Sequence, residues 1–358
     1  MLRFFLIVLY KGIPYATLSR IQKRSKSHMK EMKTKILVRL IVLLQVVLAC
    51  ACGKEEKPGD GKDPGGSQNP DEEVTITVAT CNVLKPSTRC TEMSMDNQKV
   101  RSALAGTIAA AKADIIGFNE LEETHISGGK YSLQAMCASI KDYQWKLQWP
   151  NRMNAAGTLS YYFADGFAYN SAKLKLEECG YVWLSKEEDT WYTNPSDAYK
   201  KCGNPERTCI WVKFKHIATG KEFWVFPTHL PHPDHGGALN MAKVVNRFAE
   251  QKAGSAPAIM MGDMNCSPGS EPDVYKALTS YWKDGNVNAN WGTLSGSSNK
   301  YYYTWEHFSG GHPERRIDHV LTRGCTASDY RRVVVTYTLD GNQWCPSDHL
   351  TVAATVKF

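Results

Sequence analysis

Short runs of β-branched and apolar residues, each ending on a polar or acidic side chain, recur along this chain and set its fold class. Val74-Thr75-Ile76-Thr77-Val78-Ala79-Thr80 alternates apolar and polar residues, which predicts a half-buried strand stopping at Cys81-Asn82. Ile115-Ile116-Gly117-Phe118 stops at Asn119-Glu120, and the wholly apolar Ala258-Ile259-Met260-Met261 stops at Gly262-Asp263. Between the first two runs, Val100, Leu104, Ile108 and Ala111 recur at helical spacing, with Asp96 as the expected N-cap and Lys112 as the end. Ile210–Phe214 and Glu222–Phe226 flank Ala218-Thr219-Gly220 and read as a hairpin. Gly166–Tyr169 reads as a further strand, Met241, Val244, Val245 and Phe248 as one face of a helix, and Ile317–Leu321, Val333–Thr338 and Leu350–Val356 as later strands. The order is neither strictly βαβ nor all-β. It predicts mixed sheets covered by helices, with chemically capable groups presented where strands end.

The formal charge of +7 is misleading until it is located. Residues 1–50 carry ten Lys/Arg against the single acid Glu31, leaving 33 basic and 35 acidic residues from 51 onward, a net of −2. The folded part therefore lacks the basic excess of a protein that tracks a phosphate backbone. Lys30, Lys33 and Lys35 precede the short apolar run Leu40–Ala49, the pattern of a signal peptide, with translation starting at Met1, Met29 or Met32. Arg39 and Gln45 interrupt this run, which is shorter than the roughly 20 apolar residues a membrane span needs. Val47-Leu48-Ala49-Cys50 resembles a bacterial lipobox, which implies Cys50 as a lipid anchor on an exported protein. Residues 50–71, rich in Gly, Pro, Lys and acids, read as a flexible tether, and 72–358 as one folded domain, expected to be a monomer.

Nine cysteines follow Cys52 without a regular framework. Cys202 and Cys209 form the best local pair, and most of the others are expected in the core.

Taken singly, the strand-end residues have ordinary explanations. Gly262-Asp263-Met264-Asn265 could be a turn, Ser347-Asp348-His349 a cap, Asp318-His319 after Arg315-Arg316 a surface ion pair, and Glu120 a solvated loop acid. Their joint order is what matters: Asn82, then Asp114-Ile-Ile-Gly-Phe-Asn-Glu120, Phe226-Pro-Thr-His229-Leu, Met261-Gly-Asp263-Met-Asn265, Arg316-Ile-Asp318-His-Val and Ser347-Asp348-His349-Leu. This series, over about residues 72–358, resembles the endonuclease/exonuclease/phosphatase superfamily. The resemblance implies an α/β fold, a four-layer α/β sandwich of two packed mixed β-sheets flanked by helices, with the site at one edge. It implies a divalent-metal-dependent hydrolase of phosphate esters using Mg²⁺ or Mn²⁺.

Phosphate ester hydrolysis needs neutralised phosphoryl oxygens, an activated in-line water and a proton for the leaving oxygen. By resemblance, Glu120 holds the metal, with Asn82 and Asp348 in accessory positions. Asp263 polarises or deprotonates the water, Asn265 orients the phosphate, Asp318 orients His349, and His229 and His349 contact phosphate and supply the proton. Whether a histidine or an aspartate is the base stays open.

A zinc cluster of His229, His232 and His235 with Asp234 is the rival metal reading, disfavoured because Pro231 and Pro233 forbid the helix that would align them. The loops are aromatic, including Trp145, Trp149, Tyr161, Tyr162, Trp191, Tyr192, Tyr281, Trp282, Trp291, Tyr301, Tyr302, Tyr303 and Trp305. Such residues can wall a pocket for a sugar, inositol or lipid head group, or stack on bases. The net charge favours a small or lipid-linked phosphoester over nucleic acid; a scavenging nuclease and a non-catalytic binding lipoprotein are the alternatives. Pro231 stands where many exported members of the superfamily have Asp, and Leu239-Asn240 where many have Arg, so substrate identity does not carry over.

Overall fold

A computed structural model of the chain describes residues 72–85, 91–122, 125, 129–148, 152–153, 159–160, 164–194, 202, 207–286 and 316–358. The expected leader, the tether, Cys50, Cys90 and the aromatic residues Trp149, Tyr161, Tyr162, Trp291, Tyr301, Tyr302, Tyr303 and Trp305 lie outside them.

The β-branched runs form strands in chain order. The first sheet begins with β1 (Thr75–Asn82), β2 (Ile115–Leu121), β3 (Tyr143–Gln148) and β4 (Ala164–Asn170). The second takes β5 (Leu174–Leu184), β6 (Trp191–Tyr192), β7 (Arg207–His216), β8 (Glu222–Pro227), β9 (Ala258–Asp263), β10 (Lys283–Asp284) and β11 (Asp318–Arg323). The chain then returns to the first with β12 (Thr326–Val333) and β13 (Thr351–Lys357). The strand orders are β12-β13-β1-β2-β4-β3 and β10-β11-β9-β8-β7-β5-β6. Each sheet holds one parallel pair, β1 with β2 and β8 with β9, and its other pairs are antiparallel. A parallel pair needs a crossover. Helix α1 (Gln98–Ala111) supplies the first and α2 (Ala238–Ala253) the second, while α3 (Pro272–Thr279) follows β9.

Strand alternation sorts side chains into layers. Ile76 and Val78 of β1, Phe167 of β4, Phe214 of β7, Phe223 and Val225 of β8 and Ile259 and Met261 of β9 fill the space between the sheets. Ala79 and Cys81 turn the other way, onto Val100, Leu104 and Ile108 of α1. On the far side Phe226 and Met260 meet Met241, Val244, Val245 and Phe248 of α2, with Trp282 beside them. The result is the expected four-layer sandwich. Full burial of such side chains stabilises by about 1.5–3 kcal/mol each, so packing on both faces of both sheets holds the strand ends in place.

Some local expectations are corrected. The N-cap of α1 is Asn97, whose side chain accepts the Lys99 N–H, whereas Asp96 accepts the Tyr131 hydroxyl at 2.7 Å. Val333–Thr338 is not one strand: β12 ends at Val333, and Tyr337–Leu339 pairs with Asn342–Trp344 in a separate hairpin. The reason is local, because the Val335 N–H bonds to Thr107 Oγ1 at 2.8 Å and draws the backbone toward α1. No disulfide joins Cys202 to Cys209; both are buried, and burial pushes the Cys209 thiol up to about 12. Cys81, Cys137, Cys266 and Cys345 are buried as expected.

Candidate active site

The parallel pairs bring their carboxyl ends to one edge of each sheet. Asn82 pairs with Asn119 at the tip of β1 and β2. Asp263 at the end of β9 lies opposite Asp318 at the start of the antiparallel β11. His349 lies two residues before β13, which runs antiparallel to β1, and so arrives at the same edge. His229 follows β8, the parallel neighbour of β9. Residues separated by some 270 positions thus meet because of register.

Their contacts are direct. Asn82 Nδ2 donates to Glu120 Oε1 and Asp263 Oδ2, each at 3.1 Å, while its Oδ1 accepts the Leu84 N–H. Glu120 Oε2 accepts the Lys85 N–H at 3.3 Å. Glu120 and Asn265 have positive φ angles of 59° and 48°. For residues other than glycine such backbone costs on the order of 1–3 kcal/mol and persists where surroundings over-determine it, often at functional sites. Gly262 is obligatory for a different reason: at φ 148° a Cβ there would lie 1.7 Å from the Thr228 carbonyl oxygen, so only glycine lets β9 enter the site beside Thr228-His229.

His349 Nδ1 donates to Asp318 Oδ2 at 2.7 Å, and its Nε2 lies 3.7 Å from Asp263 Oδ2. Burial alone would lower the His349 pKa, but the charges of Asp318 and Asp263 and the Asp318 hydrogen bond outweigh it and hold the imidazolium well above its ordinary range. His229 Nε2 lies 3.4 Å from the same Asp263 Oδ2. Burial, then the charges of Arg207 and His349, keep His229 well below its ordinary value. Two histidines on one carboxylate are therefore driven in opposite directions. Asp263 is pushed up to about 7, chiefly by burial and, against the pull of His349, by Asp318. Asn265 N donates to Asp263 Oδ1 at 2.9 Å, and Asn265 Nδ2 bonds to the Leu230 carbonyl at 2.8 Å.

Two overlapping groups could hold a cation: Glu120, His229 and Asp263, and Asp263, Asp318 and His349, with ligand atoms within 4.8 Å of one another in each. The donor chemistry fits a hard divalent ion, since carboxylate oxygens dominate. Asp318 Oδ1 is buried with no hydrogen-bond partner among the described residues, and burial, with the nearby charges of Asp318 and Glu120, raises Asp263, which a cation at this place would relieve. Asp348 is half-buried beside His349 and belongs to neither group. The alternative cluster of His229, His232, His235 and Asp234 is not formed: His229 faces Asp263, while His232 contacts Asp234.

A supporting layer was not foreseen. Asn119 Oδ1 accepts the Asp263 N–H at 3.0 Å, its Nδ2 donates to Asp165 Oδ1 at 2.9 Å, and Thr208 Oγ1 donates to Asp165 Oδ2 at 3.0 Å. Burial raises Asp165 to about 6 against these bonds and the Arg207 charge. Asn119, at a strand tip beside Glu120, carried a signal in the sequence; Asp165, Arg207 and Thr208 carried none. The surface ion pair considered for Arg316 is instead buried, with its Nη2 3.0 Å from Asp284 Oδ2. Of the loop aromatics, Trp145, Trp191, Tyr281 and Trp282 pack on the core.

Strand-end acids, a paired histidine and a cation-ready cluster of carboxylates define a hydrolase site. The sequence signature of the Endonuclease/Exonuclease/phosphatase family matches residues 79–349, and the chain belongs to this family, whose members are phosphoesterases that generally depend on a divalent metal. A family protein from Bacteroides thetaiotaomicron has the same fold, with TM-score 0.62, 22% identity, and coverage of 80% of this chain and 99% of that one. A mannosyl-6-phosphatase from the same organism gives TM-score 0.61, 22% identity, and coverage of 79% and 100%. The catalytic domain of human Nocturnin with bound sulfate gives 0.54, 16% identity, and coverage of 80% and 96%. No curated protein gives a significant sequence match.

Proposed function

We propose that this chain hydrolyses a small-molecule or lipid head-group phosphoester by in-line attack of water, with Mg²⁺ or Mn²⁺ as cofactor. The observation that carries the reading is the convergence of Glu120, His229, Asp263, Asp318 and His349 within two groups that share the Asp263 carboxylate. Glu120 holds the cation, with Asn82 and Asp348 in accessory positions. A bound divalent cation supplies charge neutralisation at the phosphoryl oxygens. Asp263, buried and raised toward neutrality, takes a proton from the attacking water. His349, kept as an imidazolium by Asp318, gives a proton to the leaving oxygen and recovers one from Asp263 across 3.7 Å. Asn265 and His229 orient the phosphate.

The net charge of −2 from residue 51 onward favours a small ester over a polyanion. The shared fold with a mannosyl-6-phosphatase is in keeping with a sugar-linked phosphate. The deciding experiment assays the purified protein with Mg²⁺ or Mn²⁺ against sugar phosphomonoesters, small phosphodiesters, sphingomyelin and DNA. Turnover of a small or head-group ester, abolished by chelation, is expected. Activity on DNA alone would overturn the substrate reading, and no metal-dependent activity on any of the four would overturn the reading as a whole.

Cys50 is proposed as the lipid anchor, with residues 50–71 spacing the enzyme, domain 72–358, from the membrane of the cell envelope. Cys50→Ala should move the protein to the soluble fraction; unchanged membrane association would refute the anchor.

A further inference from the structure

Arg207 opens β7 with only 5% of its surface exposed, an unusual place for a cation that could have pointed into water. Its Nη1 lies 3.4 Å from His229 Nδ1, and His229 is itself 2% exposed. A guanidinium has donors and no acceptor. His229 Nδ1 can meet it only with a lone pair, which leaves the one proton of a neutral imidazole on Nε2. That Nε2 faces two groups, Asp263 Oδ2 at 3.4 Å and Asn265 Nδ2 at 3.2 Å.

The two tautomers can be weighed directly. With the proton on Nε2, the ring accepts from the guanidinium and places its N–H 3.4 Å from the Asp263 carboxylate, so that charge favours both contacts. With the proton on Nδ1, it gains a neutral contact from the Asn265 amide while turning an N–H on the guanidinium and a lone pair on the carboxylate. Charge decides for the first, and Asn265 Nδ2 keeps its bond to the Leu230 carbonyl either way.

We infer that Arg207 is a positioning residue that locks His229 in the Nε2–H tautomer, so that its one N–H always points into the site, shared between Asp263 and the substrate phosphate, and takes no part in proton transfer. Proton delivery to the leaving oxygen then falls to His349 alone. The inference rests on the proposed reading of His229 as a phosphate contact. It goes beyond that reading by naming Arg207 as the group that fixes where the His229 proton sits. Asp165 supplies the balancing charge for Arg207, and Thr208 beside it ties β7 to the Asp165 carboxylate at 3.0 Å.

The test labels the histidines of the protein with ¹⁵N and reads ring tautomers from long-range ¹H–¹⁵N correlations, with His229→Gln assigning the His229 signals. The wild type should show His229 protonated at Nε2 only, and this spectrum decides the tautomer even where a variant fails to fold. Arg207→Met should release the lock, giving mixed tautomers at His229 with the His349 signals in place. It should lower kcat by about 10- to 100-fold, the usual cost of removing a group that orients an active-site imidazole. Arg207→Lys, which retains a cationic donor, should restore the tautomer and most of the rate. Protonation at Nδ1 in the wild type, or an unchanged tautomer in folded Arg207→Met, would overturn the lock. A locked tautomer with no effect of His229→Gln on kcat or KM would instead overturn the phosphate-contact reading and leave the lock standing.

Discussion

Asp318→Asn is expected to leave the fold intact and to cut turnover by about 10⁴, the effect of a wrong tautomer in a comparable catalytic triad. The carboxylate accepts from His349 Nδ1 at 2.7 Å and is largely responsible for holding that ring as an imidazolium. An amide of the same shape removes the charge and can turn its own NH₂ toward Nδ1. Glu120→Gln should behave differently, because an amide oxygen still ligates a hard cation, only more weakly. Turnover measured against Mg²⁺ concentration separates the two: excess cation should partly rescue Glu120→Gln and leave Asp318→Asn unrescued. Equal rescue of both, or no loss in either, would show that the metal and histidine halves of the site are wrongly assigned.

Cation affinity should fall as pH drops below 7, by up to about 50-fold between pH 7 and pH 5, because a cation at Glu120 and a proton on the adjacent Asp263 disfavour each other. The sign follows from the carboxyl group, whose pKa stands at about 7 in the cation-free protein. Below that value Asp263 is mostly protonated, and a cation held beside it by Glu120 favours release of that proton. Glu120 and Asp318 disfavour the charged form of Asp263, and His349 favours it. The same shift means that the cation-free fold binds a proton that the unfolded chain has released. The Asp263 term in stability therefore declines as pH rises from about 4 toward 7. Calorimetric titration with Mg²⁺ at several pH values, in buffers of different ionisation enthalpy, reads both the affinity and the proton released. An affinity that stays constant from pH 5 to pH 7 would contradict the placement of Asp263 against the cation.

The strand tips were legible in the sequence because an alternating β-branched run stops abruptly at Asn82 and two short apolar runs stop at Glu120 and Asp263. The motif order then supplied the sandwich and the partners Asp318 and His349. The longest strand was not legible. In β5, Lys175, Glu177, Glu178 and Gly180 break the alternation, and a register shift between Leu176 and Glu178 breaks the pairing. Thr326–Val333 was hidden by its polarity, as befits an edge strand exposed along much of its length. Arg207 looked like any solvated cation after Pro205-Glu206, and Asp165 like a loop acid beside Gly166. Only the approach of the two sheets makes them buried, and no local pattern encodes that approach. Val333–Thr338 shows the opposite failure: the local propensity for strand was real, but a tertiary bond from Thr107 prevailed.

The pairing of Asp318 with His349 has a consequence for how this enzyme fails. Asp318 and Asp263 belong to one sheet, with His229 on the loop after β8, and Asn82 and Glu120 to the other, with His349 on the loop before β13. The two halves are sewn together at the seam by short bonds such as Asn119 to Asp263 and Thr208 to Asp165. Neither sheet carries a working set of groups by itself. A separation of an ångström or two along the seam would break the proton path while leaving every strand hydrogen-bonded. Heat or denaturant should therefore silence hydrolysis before circular dichroism registers any loss of β-structure, which makes turnover a gauge of how tightly the halves are closed.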